Sequence, residues 1–189
     1  MAALLLTGFQ GWLGGRVVAH ELAAWIVTAH LIVALVIVQL LLYATVRAWR
    51  KTGGPFSPLI AALIVATMLQ IGLGAQVRGA VDVAIDAGTA RDAAIAAAGL
   101  LDHLHRSLAM LVLAGAFLVV FVLRSKWSYV TLGLAALQVA LGVSLVYVSL
   151  APATQVAHLT IASLLLGAET VLLLSSRDMA DERGWPKAG

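Results

Sequence analysis

The sequence predicts an all-α integral membrane protein, an antiparallel four-helix bundle repeat with an additional helix pair. Of its 189 residues, 62% are hydrophobic and only 11% are charged, and the mean hydropathy is +1.01. Soluble domains carry about 25% charged residues. Apolar segments long enough to cross a bilayer recur along the chain, and such a crossing takes about 20 mostly apolar residues. The basic residues lie in short loops rather than in one patch, which argues against a nucleic-acid partner and for the lipid bilayer as the surroundings.

Six apolar segments are the predicted membrane helices, and the first of them is short. They cover residues 2–18, 22–46, 58–79, 101–123, 128–150 and 154–174. Ser57-Pro58 is a favourable helix start, because serine caps the end and proline suits the first helical position. The Ala-rich stretch 89–98 lies in the longest loop and is compatible with a short helix over the mouth of the bundle.

Lysine and arginine predict the orientation of the chain in the membrane. Of the 12 basic residues, eight lie on one side, three on the other, and Arg106 just inside a helix. The positive-inside rule places the side with eight in the cytoplasm together with both termini, in the plasma membrane of a bacterium or an archaeon. Cysteine is absent, which excludes disulfides, thiolate metal sites, iron–sulfur clusters and covalently attached haem.

The motif Gln-x-x-Leu-Gly occurs three times, at residues 10–14, 70–74 and 138–142. The first and third copies lead, after 20 residues each, to Ala-His-Leu at His30 and His158. Aligned without gaps from their glutamines, these two regions share 10 identities in 26 positions. The pattern predicts a duplicated unit in which a helix with the Gln motif is followed by a helix with a histidine.

The repeat also predicts how the chain is divided. Residues 57–176 form one complete four-helix repeat, residues 1–50 form the second half of another, and residues 177–189 form a cytoplasmic tail. We therefore expect two further helices before Met1 in a complete pair of repeats.

The fourth apolar segment opens with titratable side chains, Asp-His-Leu-His-Arg at 102–106. Such groups are costly at membrane depth and usually mark functional sites inside a bundle. His105 and His158 each lie roughly 6 Å inside an outer helix end, and His30 roughly 12 Å inside. Two histidines on facing helices can hold a haem iron, so we predict haem ligation by His105 and His158. The alternative for each histidine is a hydrogen bond between helices.

Other polar residues have two interpretations each. Arg78 and Arg106 are candidate contacts for haem propionates, or else anchors at the membrane interface. Two positions from His105, His103 points to the other side of its helix. Near the inner end of the last segment, Glu169 is expected to reach the cytoplasmic interface.

The three motif glutamines are candidates for the second shell of a haem site or for bonds that lock helices together. We favour helix packing for the glycines that follow them. The glutamines and glycines are Gln10, Gln70 and Gln138 with Gly14, Gly74 and Gly142.

This pattern resembles the haem A synthase family, membrane enzymes with eight helices in two four-helix halves. The resemblance covers about helices three to eight of that plan. It rests on the order and sidedness of six motifs: Gln-Gly-Trp-Leu-Gly-Gly (10–15), Thr-Ala-His-Leu (28–31), Leu-Gln-Ile-Gly-Leu-Gly-Ala-Gln-Val-Arg (69–78), His-Leu-His-Arg (103–106), Leu-Gln-Val-Ala-Leu-Gly (137–142) and Val-Ala-His-Leu (156–159).

The resemblance implies a function, the oxidation of a methyl group of haem O to the formyl group of haem A for cytochrome oxidase biogenesis. It implies haem b as cofactor with His105 and His158 as axial ligands, and His30 with Gln10 on the side of the substrate haem. Haem O synthase or another membrane protein is the implied partner. The family's catalytic Glu-x-x-His-Arg helix has no counterpart in the same half of this chain, so the catalytic residues stay unassigned. The spacing recurs as Asp102-x-x-His105-Arg106, in the cofactor half.

Two other classes of function remain open from the sequence. One is a b-type haem subunit that transfers electrons and has no substrate of its own. The other is a haem-free helical protein such as a transporter subunit, in which His105 and His158 would not converge.

Overall fold

A computed structural model of the chain describes residues 1–49 and 57–182, and the side chains of 1–48 and 57–175. Within these residues all regular structure is helical. The helices are α1 (Ala2–Ala19), α2 (Ala24–Trp49), α3 (Pro58–Asp86), α4 (Arg91–Ala97), α5 (Leu100–Leu123), α6 (Lys126–Tyr147) and α7 (Pro152–Glu182). The basic residues of the predicted loop at 50–56 and the end of the predicted tail lie outside the described residues.

Five described helices are long and apolar enough to cross a membrane: α2, α3, α5, α6 and the Pro152–Ser175 part of α7. The protein is therefore an all-α integral membrane protein, as predicted. The predicted count was six, and the difference is the first segment. It forms helix α1 over 18 residues, but Gln10, Arg16 and several glycines interrupt its apolar sequence. α1 therefore falls short of the length and composition of a span.

The four helices α3, α5, α6 and α7 form one bundle, in which each helix packs against the next and α7 closes the ring against α3. Its apolar core includes Ile60, Val119 and Leu172, all fully buried. Helix α2 packs on the α3–α7 side of this bundle, around Leu35 and Leu166. Among the described helices α1 makes extensive contact with α2 alone.

The helix ends follow local capping chemistry. Ser57 accepts a hydrogen bond from the Ile60 backbone N–H with Pro58 at the first helical position, as predicted. Ser125 and Ser128 form a reciprocal capping box that starts α6. At the opposite end of the bundle the short helix α4 begins with Arg91, whose guanidinium donates to the carbonyl oxygens of Leu145 at 2.8 Å and of Val146. Arg91 thus caps the C-terminus of α6.

Helix α4 confirms the short helix expected in the longest loop. Its Ala94 and the following Ala98 are buried against Val81 of α3 and Leu150 of the α6–α7 connection. The α4 end of the bundle is therefore the end at which α5 and α7 begin. His105 and His158 lie near this end, in the first two turns of their helices.

Candidate functional site

The glycine of each Gln-x-x-Leu-Gly motif packs against the imidazole of a histidine on a later helix. A Cβ atom built on Gly74 of α3 would lie 2.9 Å from Cε1 of His105 on α5. The same construction on Gly142 of α6 gives 3.4 Å to Cε1 of His158 on α7, and on Gly14 of α1 it gives 3.3 Å to Cε1 of His30 on α2. The glycines therefore leave room for an imidazole directly against a helix backbone, which agrees with the packing role that we favoured for them.

The three histidines also lie at nearly the same distance from the first residue of their helices. His105 is the sixth residue of α5, and His30 and His158 are the seventh residues of α2 and α7. At 1.5 Å per residue this is about 8 to 9 Å from the helix start. His30 is less deep than expected because α2 begins at Ala24, two residues after the predicted start.

The motif glutamines bond to the histidine helices in different ways. Gln10 Nε2 donates to the backbone oxygen of His30 at 2.8 Å. Gln70 Nε2 lies 3.4 Å from His105 Nε2, so this amide touches the imidazole itself. In all three units the glutamine Oε1 and the histidine Nδ1 are buried without a hydrogen-bond partner. Buried polar atoms of this kind are uncommon and need an explanation, of which a missing ligand is one.

His105 and His158 line one cavity of about 230 Å³ between α3, α5, α6 and α7. The motif residues Gln70, Gln138 and Gly142 line the same space. Apolar side chains complete the wall: Ala109, Met110, Val139, Val143 and Val146. No sequence pattern marks these wall residues, since their hydropathy matches that of lipid-facing positions. His30 and Gln10 do not line this cavity.

Of the two arginines considered for propionates, Arg106 is at the cavity and Arg78 is not. Arg106 lines the wall beside Tyr147 and pairs with Asp102 at 2.6 Å, with Asp102 only 13% exposed. Arg78 lies on the surface and pairs with Asp82, both more than half exposed. Arg106 can therefore present a cation to an acidic group at the cavity mouth, and the role of Arg78 stays a prediction.

The donor set in the cavity suits haem better than a bare metal ion. Within the described residues no three His, Asp or Glu side chains cluster as a metal ion would require. A porphyrin brings four ligands of its own and needs only two axial nitrogens, which neutral imidazoles supply. Pockets that enclose a small molecule usually measure about 300 to 1,000 Å³. A haem would therefore have to widen this cavity and displace the Gln70 amide from His105.

The comparison with protein families gives a direct result. The model of the cytochrome oxidase assembly protein family COX15-CtaA matches residues 1–170 of the chain. The chain belongs to this family. A search of individual curated proteins found no match. The family match confirms the resemblance that the six motifs carried, and it extends over both the α1–α2 pair and the four-helix bundle.

One polar residue of this family member lies where the sequence did not lead us to expect it. Glu169 was expected at the cytoplasmic interface, but its side chain is fully buried inside the bundle. The prediction was wrong because α7 continues as a helix to Glu182, so its surface end lies beyond Glu169.

Proposed function

We propose that this member of the cytochrome oxidase assembly family is a haem protein of haem A biosynthesis, with His105 and His158 as axial ligands of a haem b. The observation that carries the proposal is the shared cavity: two histidines from different helices line one cavity between α3, α5, α6 and α7. A chance pair of packing histidines has no reason to converge on one cavity.

The surrounding residues have roles that follow from their positions. Gly74 and Gly142 each form what we call a socket, a place where the missing side chain lets an imidazole ring pack against the backbone. The sockets position the rings of His105 and His158 against α3 and α6. The Nδ1 atom of each ring is buried without a hydrogen-bond partner. A ligating histidine usually donates its second N–H to a neighbouring oxygen, and the motif glutamines Gln70 and Gln138 line the same cavity.

Arg106 is the proposed contact for a propionate, because it lies at the cavity and its partner Asp102 leaves the guanidinium partly exposed. A guanidinium binds a carboxylate through two parallel hydrogen bonds, which also fixes the orientation of the ligand. Met110 and the valines make the wall of the cavity apolar. A bound haem would supply the electron transfer, and the protein would supply ligands, orientation and a dry surrounding.

His30 and Gln10 are proposed on the side of a second, substrate haem. The support is local: Gly14 packs on His30 as Gly74 packs on His105, and Gln10 bonds to the His30 backbone. The reaction proposed from the family is the oxidation of the haem O methyl group to the formyl group of haem A. The alternative is a b-type electron-transfer subunit, which would bind haem b at His105 and His158 and carry out no conversion of haem O.

The decisive experiment is a reduced-minus-oxidised visible spectrum of the protein purified in detergent with haem supplied. We expect a b-type signal in the wild type that is lost in His105→Ala and in His158→Ala. The matched control is His103→Ala, which removes an exposed histidine of the same helix and should leave the signal intact. A wild type that binds no haem would overturn the proposal.

A second assay separates the two candidate functions. Membranes that contain the protein are supplied with haem O, dioxygen as the oxidant and a reductant for the haem iron, and the extracted haems are separated by chromatography. Formation of haem A supports the synthase, while a b-type spectrum with no haem A formed favours the electron-transfer subunit.

A further inference from the structure

A second polar site lies in the other half of the bundle, away from the histidine cavity. Glu169 of α7 has no exposed surface, and Thr67 of α3 donates a hydrogen bond to its Oε1 at 2.8 Å. Its other oxygen, Oε2, is buried without a partner. Six residues separate Glu169 from Ser175, the end of the membrane-spanning part of α7, or about 9 Å along the axis.

No described cation compensates this carboxyl group. The described ion pairs are Arg78–Asp82, Arg91–Asp92 and Arg106–Asp102. Helices α2, α3 and α6 pack against α7, and α3 has no charged residue between Pro58 and Gln70. In this half of α2 and α6 the titratable or charged side chains are all exposed: Tyr43, Arg47, Lys126 and Tyr129.

The remaining neighbours are apolar or neutral. The two core clusters that include α7 consist of aliphatic residues. Next along α7, Thr170 donates to Gln39 Oε1 of α2 at 2.6 Å, and Gln39 Nε2 is itself buried without a partner. An isolated ionised carboxylate is so costly in such a medium that the group takes up a proton instead.

We propose that Glu169 is a proton-binding site inside the membrane, neutral in the resting protein, whose proton is exchanged when the charge of the haem site changes. The proposal that Glu169 holds a proton is based on the burial of its side chain. The coupling of that proton to the haem rests on the proposed function. Oxidation of a bound haem would add a positive charge and favour loss of the Glu169 proton to the aqueous phase, and reduction would favour its return. No other oxidant or co-reactant is involved beyond the one that changes the haem.

The expected coupling is modest because the two sites are well separated. Glu169 follows His158 by 11 residues on the same helix, which is about 16 Å. At an effective dielectric constant of about 20, one charge at that distance changes the proton affinity roughly fivefold. The change is large enough to appear in a redox titration and small enough to leave haem binding intact.

The protonation is tested by infrared spectroscopy of the full chain in lipid at neutral pH. We expect a protonated carboxylic acid band that is lost in Glu169→Gln and retained in the control Asp102→Asn. Thr67→Val keeps the shape of its side chain but removes the hydrogen bond to Oε1, so it should shift the band to higher frequency, whereas Thr67→Ser should not. A Glu169→Gln spectrum identical to wild type, or a band that Thr67→Val leaves in place, would overturn the assignment.

The coupling is tested by the pH dependence of the haem midpoint potential. We expect a weaker pH dependence in Glu169→Gln than in wild type, with the same b-type spectrum. Equal pH dependence in both proteins would reject the coupling and leave a permanently protonated carboxyl group. If the wild type binds no haem, the proposed function fails, but the infrared band still decides whether Glu169 holds a proton.

Discussion

The α1–α2 pair and the four-helix bundle contain the same local arrangement in different surroundings. In each of the three units a glycine of the Gln motif packs against the imidazole of the following helix. In the bundle two such units face each other, and their histidines line one cavity. In the α1–α2 pair His30 has the glycine and the glutamine, but it does not line that cavity.

The comparison shows that a glycine packed against one imidazole is distinct from a site at which two histidines line one cavity. A Gly–His contact with a nearby glutamine needs only two adjacent helices, so the motif alone predicts where an imidazole is held. A site with two axial ligands needs a second unit at the same depth across the bundle, which only tertiary packing provides. We expect the bundle and the α1–α2 pair to differ in function as they differ in surroundings.

The largest expected difference is between the histidines themselves. His105→Ala or His158→Ala should abolish the b-type signal, because each removes one of two axial ligands. His30→Ala should leave that signal unchanged, because His30 does not line the cavity. Visible spectra of the three variants at equal protein concentration provide the measurement. Loss of the signal in His30→Ala would show that the α1–α2 pair takes part in the same site.

The next largest effect distinguishes two glycines with the same sequence context. Gly74→Ala places a Cβ 2.9 Å from His105 Cε1, a separation that side chains do not sustain, so the imidazole ring must shift. Gly142→Ala leaves 3.4 Å to His158, which is ordinary contact. We expect a strongly reduced haem content in Gly74→Ala and a nearly normal content in Gly142→Ala, measured as haem per protein.

Thermal unfolding of the two glycine variants serves as the control. Overpacking commonly costs about 1 to 3 kcal/mol, and a Gly74→Ala protein that unfolds before any haem is added would report stability rather than ligation. Equal haem content in the two variants would contradict the socket geometry.

A smaller effect is expected from the two arginines. Arg106→Gln should weaken haem binding about tenfold, because a hydrogen bond to a charged group contributes about 1.5 to 3 kcal/mol and the exposure of Arg106 reduces that value. Arg78→Gln, on the exposed surface, should change the affinity very little. Titration of haem into the haem-free protein measures both. A larger loss in Arg78→Gln than in Arg106→Gln would place the propionates elsewhere.

The smallest effect is expected from Gln70. Its amide lies 3.4 Å from His105 Nε2 and would compete with the proposed haem iron for that nitrogen. Gln70→Leu removes this competition but also a buried polar group, so we expect the haem affinity to change only a few-fold and the association rate to rise. Stopped-flow mixing with haem measures the rate. A loss of the b-type spectrum in Gln70→Leu would instead assign Gln70 an essential role in orienting His105.

The sequence predicted the helices, their order and the convergence of His105 with His158, because hydropathy and the Gln-motif spacing are local properties of the chain. It also predicted the Ser57 cap and the short helix at Arg91. These features depend on composition within one or two helical turns, which a single sequence records directly.

The parts that it missed depend on how helices pack. Nothing in the local sequence distinguishes Glu169 from a carboxylate at the membrane surface, since its burial follows from the position of α7 among three other helices. The assignment of Arg106 to the cavity and of Arg78 to the surface has the same origin. Both are basic residues toward the α4 end of the bundle, and only the rotation of each helix in the bundle separates them.

Helix α7 is the most buried of the five described spans. In its apolar 18-residue stretch 39% is buried inside the protein, against 11% to 22% for the others. It follows the other helices in the chain, yet it packs against α2, α3 and α6. Both His158 and Glu169 lie on this one helix. Neither polar site is therefore complete until α7 has packed into the groove that the earlier described helices form.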